Sequence, residues 1–203
     1  MQPHSTQSDL FEALSGSLPD GLVYRPDFLS AAEESQLLAQ IRELPLHQAQ
    51  YKQYTAKRRI ASFGAQYDFS ANVLEPAPQL PASFEPLRAK VAHWLDLAPE
   101  QLAHVLIAEY RPGTPLGWHR DVPQFELIAG LSLAGPARMR LRPYPVRENK
   151  REGVLVLELE PRSAYVLQGD ARWRWQHSIP PTKALRYSIT FRTSREVSAT
   201  SNP

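Results

Sequence analysis

The chain has 203 residues, a formal net charge of +2 and 42% hydrophobic residues, which together predict one globular domain with a substantial core. The absence of cysteine excludes a disulfide framework, a thiolate zinc site and a cysteine nucleophile, and it fits a cytoplasmic protein. No early stretch joins a basic start to an apolar run, so we predict neither a signal peptide nor a membrane span.

The first half of the chain predicts two helices. A capping box from Ser30 to Glu33 begins the first helix, and Pro45 ends it. Ser83 is the expected cap of the second helix. The apolar residues that these helices should bury are Leu37, Leu38, Ile41 and Leu44 in the first and Leu87, Val91, Trp94 and Leu95 in the second. Between the helices, residues 47–82 show no strong hydrophobic period, and a long irregular stretch in a compact domain predicts a functional lid.

Beyond residue 103, short strand candidates follow one another, separated by proline, glycine or charged turns. They are "HVLIAEY", "FELIAGLSLA", "ARMRLRP", "GVLVLELE", "SAYVLQG" and "LRYSITFR". Helices first and strands afterwards predict an α+β fold with a mainly β core, a sandwich or small barrel, and the helices packed on one sheet. We expect a single domain over residues 20–193, between flexible tails at 1–19 and 194–203.

The strand candidate "LRYSITFR" has one polar and one apolar face, because a strand has a side-chain period of two. The polar face carries Arg186, Ser188, Thr190 and Arg192, and the apolar face carries Leu185, Tyr187, Ile189 and Phe191. Such a strand is either an edge strand with a solvated face or the wall of a pocket that binds an anion.

Three residues form a candidate metal site. His119 and Asp121 are two positions apart, so their side chains point the same way on an extended segment, and His177 follows later. Two imidazoles and one carboxylate suit Fe(II) and leave coordination positions for a co-substrate and O2. The alternatives are a hydrogen-bonded loop histidine at 119 and a buried histidine at 177, beside Trp173 and Trp175. The arginine strand after His177 favours the iron site, because 2-oxoglutarate is a dianion that a guanidinium binds in bidentate fashion.

The fragments "EYRPGTPLGWHRD", "HSIPP" and "LRYSITFR" resemble the catalytic core of the AlkB family of Fe(II)/2-oxoglutarate dioxygenases. The resemblance covers about residues 103–193, and the region "SFGAQYDFS…LEPAPQLP" is similar to that of bacterial AlkB-like proteins. It implies a double-stranded β-helix, or jelly roll, and the oxidative demethylation of N-alkylated nucleobases in DNA or RNA, with release of formaldehyde, succinate and CO2. It also implies Fe(II), 2-oxoglutarate and O2 as cofactors and nucleic acid as the partner, bound by a monomer.

Carried over residue by residue, the resemblance implies that His119, Asp121 and His177 are the iron ligands. Arg186 would bind the far carboxylate of 2-oxoglutarate, and Tyr110 would donate its hydroxyl to the co-substrate. Arg192 would lie near the iron-chelating end, and the residues that line the pocket would be Ser188 and Thr190.

Two positions depart from the family pattern. Ala108 stands where many members have an asparagine that helps hold the co-substrate. Pro123 stands where many members have an acidic residue that reads the exocyclic amine of the damaged base. The base preference is therefore left open by the sequence.

A methylated base must leave its duplex, or be single-stranded, to reach buried iron, and aromatic side chains then stack on it. The candidates for stacking are Tyr51, Tyr54, Phe63, Tyr67 and Phe125, and those for phosphate contacts are Lys57, Arg58, Arg59, Arg138, Arg140 and Arg142. Packing in the core or the lid is an equally good reading of the aromatic residues. A solvated face is the alternative for the arginines, and packing is the expected role of Trp118.

Two other functions remain open at this point. The same chemistry could act on tRNA, on a small molecule or on another substrate outside repair, as Pro123 and the small net charge suggest. A non-catalytic jelly-roll binding module is the third hypothesis, against which the intact set of site residues argues.

Overall fold

The computed structural model describes residues 18–51, 54–68, 71, 73–146 and 153–195, and of Tyr51 and Tyr54 it describes the backbone alone. The predicted tails lie outside these residues except for 18–19 and 194–195. The helices are α1 (Ala31–Arg42), α2 (Glu85–Trp94) and α3 (Gly169–Trp173). The strands of the first half are β1 (Leu22–Arg25), β2 (His47–Tyr51), β3 (Tyr54–Phe63), β4 (Ala65–Asp68) and β5 (Val73–Pro76). Those of the second half are β6 (His104–Tyr110), β7 (Leu116–His119), β8 (Phe125–Leu133), β9 (Ala137–Pro143), β10 (Leu155–Leu159), β11 (Ala164–Leu167), β12 (Trp175–Ile179) and β13 (Arg186–Ser194).

Two antiparallel sheets form the jelly roll that the sequence predicts. The larger sheet has the strand order β1-β11-β8-β13-β6-β3-β2, and the smaller sheet has the order β10-β9-β12-β7. A separate pair, β4 with β5, belongs to neither sheet. Within the described ranges, no helix has the length and apolarity needed to cross a bilayer.

The two longer helices cover the outer face of the larger sheet. The cluster beneath them joins Leu37 and Ile41 of α1 and Val91 of α2 to the apolar side chains of β6, β8 and β13. The predicted capping box begins α1, because Ser30 Oγ accepts from the Glu33 amide at 3.2 Å and Glu33 Oε2 accepts from the Ser30 amide at 2.7 Å. The prediction that Ser83 caps α2 is wrong. A 3₁₀ turn, Ala82–Phe84, precedes that helix, and the Phe84 amide donates to the Pro81 carbonyl instead.

A second apolar cluster lies between the two sheets. It includes Ile128 of β8, Met139 and Leu141 of β9, and Ile179 of β12. The strand β13 separates the two clusters: Tyr187, Ile189 and Phe191 belong to the helix-covered cluster, whereas its polar residues face the jelly-roll interior. The alternation predicted for "LRYSITFR" therefore holds.

The prediction of an irregular stretch at 47–82 is wrong, because strands β2 to β5 occupy most of it. The usual alternation is hidden here because β3 turns polar residues, including Arg58 and Ser62, toward the interior cavity. Gly64 connects β3 to β4 with φ at +77°, and a Cβ at this position would collide with the Ala103 carbonyl. The lid role of this region stays a prediction.

Candidate metal centre and co-substrate cavity

The structure brings the three predicted iron ligands together. One donor atom from each of His119, Asp121 and His177 lies within 4.8 Å of the others. The reason is strand pairing, since His177 of β12 stands directly opposite His119 of β7, and the two ring centroids are 4.2 Å apart. Asp121 follows in the connection after β7, with Oδ2 at 3.7 Å from His177 Nε2. Two imidazoles and a carboxylate, without a thiolate, form a donor set that fits Fe(II).

The electrostatics keep these donors in the forms that bind a metal. Burial lowers the pKa of His177 to about 3 and also lowers the pKa of His119, so both rings are neutral near pH 7. Burial raises the pKa of Asp121, but Arg192 and the two imidazoles outweigh it and hold that pKa well below its usual range. His119 Nδ1 lies 2.9 Å from the Gly117 carbonyl, which can only accept. The proton is therefore on Nδ1, and Nε2 has a lone pair for the metal.

Two arginines hold Asp121. Arg192 of β13 places Nε and Nη2 each 2.9 Å from Asp121 Oδ1. Arg172 of α3 is 2% exposed and donates Nη2 to the carbonyl oxygens of Asp121, Val122 and Phe125 at 3.2, 2.7 and 2.9 Å. The loop that carries the carboxylate is thus fixed from both sides. Sequence reasoning missed Arg172, because nothing local distinguishes it from a surface arginine.

The polar face of β13 forms one wall of an interior cavity of about 940 Å³, as predicted for Arg186, Ser188, Thr190 and Arg192. Arg186 is 2% exposed, and its Nε donates to Ser132 Oγ at 3.0 Å. Its guanidinium lies 5.0 Å from the centre of the Tyr110 ring. This buried cation suits the far carboxylate of 2-oxoglutarate.

Tyr110 lies between two guanidiniums. The register pairs Tyr110 with Arg186 on one side, and Arg58 of β3 hydrogen-bonds to its hydroxyl from the other side. Burial raises the pKa of Tyr110, but Arg58 and Arg186 outweigh it and lower the pKa. A hydrogen bond from Ser188 to the hydroxyl also lowers this pKa. The donation by Tyr110 to the co-substrate stays a prediction.

Tyr165 is a cavity residue that sequence reasoning missed. Burial raises its pKa to about 12, so it stays a hydroxyl donor. Its ring lies against Gly130, its partner across the β11–β8 pair, where a Cβ would collide with the ring. The glycine inside the strand candidate "FELIAGLSLA" was a signal that another group approaches the backbone closely there, but the sequence did not show that this group is Tyr165.

The two substrate contacts predicted on β3 lie on the face that points away from the cavity. Phe63 is 7% exposed in the helix-covered core, and Arg59 binds Glu109 at 3.2 Å and the Leu46 carbonyl at 2.9 Å, so neither reaches the cavity. They are not wall residues of the cavity, because β3 is regular and presents Arg58 to it instead, and their contact with substrate stays a prediction. Tyr67 of β4 lines the cavity.

The remaining residues that the sequence singled out for substrate or co-substrate binding differ in their position relative to the cavity. Phe125 lines the cavity, but it is 3% exposed and its ring lies 4.7 Å from that of His104. The side chains of Tyr51 and Tyr54 lie outside the described part of the structure. Ala108 lies in the cavity wall beside Ser188, and Pro123 is in the exposed connection after Asp121.

The predicted arginine stripe of β9 faces away from the cavity. Arg140 and Arg142 pack against Trp118 with their guanidinium carbons 5.0 and 4.3 Å from its ring, and Arg138 binds Glu158 at 2.8 Å. Trp118 thus packs against these two arginines, the packing role expected for it, and it also belongs to the residues that line the cavity. Arg140 is not a wall residue of the cavity, so any contact it makes is with substrate outside it.

Residues 21–192 match the 2OG-Fe(II) oxygenase superfamily, and the chain belongs to this family. Its members use Fe(II), 2-oxoglutarate and O2, for which the cluster and the cavity provide the site. The chain is 32% identical over 170 residues to the alpha-ketoglutarate-dependent dioxygenase alkB homolog 7, mitochondrial, of Bos taurus, covering 82% of this chain and 71% of that protein. The chain thus belongs to the AlkB-type dioxygenase family.

Two further relatives are larger proteins. The chain is 31% identical over 203 residues to the alkylated DNA repair protein ALKBH8 homolog of Arabidopsis thaliana, covering 89% of this chain and 57% of that protein. It is 29% identical over 177 residues to the mouse tRNA (carboxymethyluridine(34)-5-O)-methyltransferase ALKBH8, covering 82% of this chain. The chain therefore spans about half of the first protein and 25% of the second.

Solved structures show the same fold at low sequence identity. OsALKBH1 superposes with a TM-score of 0.69 at 14% identity, covering 87% of this chain and 98% of that chain. An oxidoreductase of the 2OG-Fe(II) oxygenase family from Burkholderia pseudomallei gives a TM-score of 0.58 at 15% identity, covering 97% and 94%.

Proposed function

We propose that this dioxygenase oxidatively removes N-alkyl groups from nucleobases in DNA or RNA, releasing formaldehyde, succinate and CO2. The observation that carries the proposal is the cavity, which joins the metal cluster and the Arg186 wall to the strands of residues 47–82. Its volume of about 940 Å³ is at the upper end for ligand sites, so a flipped base fits beside the co-substrate.

The walls on the 47–82 side suit a nucleobase. On β4, Gln66 offers an amide that can hydrogen-bond to a base edge, and Tyr67 offers an aromatic ring. In this proposal β4 and β5 are the substrate lid of a single domain over residues 20–193. Pro123 supplies no side-chain hydrogen bond, so in this proposal Gln66 has a main part in selecting the base.

Positive charge on the outer face of the smaller sheet supports a nucleic-acid substrate. Among the described residues, Arg140 and Arg142 have no carboxylate partner, and they hydrogen-bond to Ser178 and Gln176 instead. Arg120 is exposed at the cavity and stacks 3.8 Å from the centre of the Tyr144 ring. Guanidiniums held in this way can contact phosphates on either side of the reacting base.

In this proposal each site residue has a separate role in the reaction. Bound Fe(II) supplies the O2-dependent oxidation that couples decarboxylation of 2-oxoglutarate to hydroxylation of the N-alkyl group. Arg186 binds and orients the far carboxylate of the co-substrate, and Tyr110 donates to it. Arg192 fixes Asp121. The apolar wall residues Ile128 and Met139 limit water around the reacting carbon.

A second candidate is the oxidation of a modified nucleoside in tRNA. The similarity to a protein named as a tRNA (carboxymethyluridine(34)-5-O)-methyltransferase favours it. The absence of an acidic residue at Pro123, where the family pattern predicts one, agrees with a base other than a damaged purine or cytosine.

The test is a substrate panel incubated with Fe(II), 2-oxoglutarate and O2. It contains methylated single-stranded DNA and RNA, matched unmethylated oligonucleotides, bulk tRNA and free methylated nucleosides. We expect formaldehyde release and loss of the methyl mass from the methylated oligonucleotides alone. Turnover of tRNA with a mass gain of one oxygen would support the second candidate, and succinate formation that no nucleic acid stimulates would end both.

A further inference from the structure

His104 lies behind the arginine that holds the carboxylate ligand. It is the first residue of β6, stands opposite Arg192 in the β6–β13 pair, and is 5% exposed. Its Nδ1 is 3.1 Å from Arg192 Nη1. A guanidinium has only donors, so Nδ1 must accept this hydrogen bond and the imidazole must be neutral with its proton on Nε2.

The hydrogen bond to His104 fixes the orientation of the Arg192 guanidinium. Its Nη1 donates to His104, while its Nε and Nη2 both donate to Asp121 Oδ1 at 2.9 Å. Phe125 completes the arrangement, because its ring stacks on His104 with an interplanar angle of 27° and lies 5.4 Å from the Arg192 guanidinium carbon. Both the edge and the face of the guanidinium are therefore fixed.

The orientation of Arg192 distinguishes the two oxygens of Asp121. Oδ1 accepts two N–H groups, whereas Oδ2 is directed toward the His177 ring, at 3.7 Å from Nε2. We propose that His104 is a positioning residue: through Arg192 it makes Asp121 present Oδ2 to the metal as a one-oxygen ligand. This inference rests on the family's metal chemistry and is independent of the substrate.

An apolar residue at position 104 would fill the same space but would not orient Arg192. A phenylalanine at 104 would keep the stack on Phe125, but Arg192 Nη1 would lose its acceptor in a buried position. The guanidinium would then turn to find another acceptor, and one of the hydrogen bonds to Oδ1 would be lost or moved to Oδ2. Mutation of a direct hydrogen-bond partner of a metal ligand, here Arg192, typically changes metal affinity by about 10–100-fold, and the loss of His104 acts through that partner.

The experiment compares two variants by their affinity for Mn²⁺, measured by calorimetry and by the Mn²⁺ EPR signal without 2-oxoglutarate. His104→Phe keeps the ring but removes the acceptor, and His104→Asn removes the ring but keeps an acceptor oxygen. We expect His104→Phe to weaken Mn²⁺ binding by at least about tenfold and His104→Asn to remain within about threefold of the wild type. Unchanged Mn²⁺ binding in His104→Phe, or equal loss in both variants, would overturn the proposal.

A double-mutant cycle tests the route through the arginine. In the Arg192→Gln background, His104→Phe should add less than about twofold to the loss of Mn²⁺ affinity, because the residue through which it acts is gone. Fully additive losses would show that His104 acts independently and would also overturn the proposal. Thermal unfolding of each metal-free variant identifies any loss of folded protein, and affinities are taken from the folded fraction.

Discussion

His119 and His177 face each other across the β7–β12 pair with ring centroids 4.2 Å apart, so two strands of the smaller sheet bring both imidazoles of the metal site together. This pairing means that the sheet positions both imidazoles, and only the carboxylate of Asp121 comes from a connection between strands. Replacing either histidine with alanine should abolish the weak visible absorption band that Fe(II) and 2-oxoglutarate form anaerobically. His93→Ala, an exposed histidine on α2, is the matched control and should keep the band. A persistent band in His119→Ala would contradict the assignment of that ligand.

Arg186 should determine affinity for the co-substrate. It is 2% exposed, and Arg186→Gln removes a charge-assisted, bidentate partner of a carboxylate, so the KM for 2-oxoglutarate should rise by about 30–100-fold. Ser132→Ala removes only the hydroxyl that accepts from Arg186 Nε, so it should raise the KM for 2-oxoglutarate by less than about tenfold. Steady-state kinetics with varied 2-oxoglutarate measures both. Arg138→Gln on the outer face is the control, and an equal effect there would exclude a specific role for Arg186.

Arg58 and Arg59 are neighbours in sequence that should behave differently. Arg58→Gln should lower activity by at least about tenfold, because Arg58 lines the cavity and hydrogen-bonds to Tyr110. Arg59→Gln should leave activity unchanged and cost less than about 1 kcal/mol of folding free energy, since Glu109 keeps Arg111 at 3.1 Å. Kinetics and urea unfolding separate the two outcomes. Loss of activity in Arg59→Gln alone would show that β3 has the opposite register.

Gly130 should be intolerant of a single added methyl group. A Cβ there would collide with the Tyr165 ring, so Gly130→Ala should destabilise the fold by about 1–3 kcal/mol and weaken 2-oxoglutarate binding as the ring moves into the cavity. Gly117→Ala is the matched control, because nothing lies within 4 Å of a Cβ at that position. Urea unfolding with co-substrate titration checks both. Equal stability of the two variants would be incompatible with this packing.

The stability of the metal-free protein should fall on acidification partly because of His104. Burial lowers its pKa from 6.5 to about 2, so the unfolded chain takes up a proton below pH 6.5 that the folded chain does not. The stability from this group is present above pH 6.5 and is lost progressively as the pH falls toward 2. Between pH 7.5 and 5, the wild type should lose about 2 kcal/mol more than His104→Phe does. Parallel urea unfolding series measure the difference, and identical pH dependence would show that His104 is not buried and neutral.

The sequence predicted those parts of the site in which local pattern and chemistry coincide. The alternation of "LRYSITFR" correctly assigned both faces of β13, and the donor types at 119, 121 and 177 indicated their convergence. The pattern failed for β3, because Arg58 faces an internal cavity and so looks like a solvent-facing residue in the sequence. His104 and Arg172 were missed for another reason. Their partners, Arg192 and the 121–125 loop, are 88 and about 50 positions away, and no local signal records such a contact.

The two-sided strand β13 limits how this protein can change over time. One side of the strand contributes Ile189 and Phe191 to the packing under the helices, and the other contributes Arg186 and Arg192 to the cavity. Losing or gaining one codon within the strand would exchange its two sides. Guanidiniums would then be buried beneath the helices, and aromatic and aliphatic side chains would fill the cavity. Only point substitutions, or length changes in steps of two, preserve both sides, so we expect descendants of this gene to keep the length of this segment even where its surroundings vary.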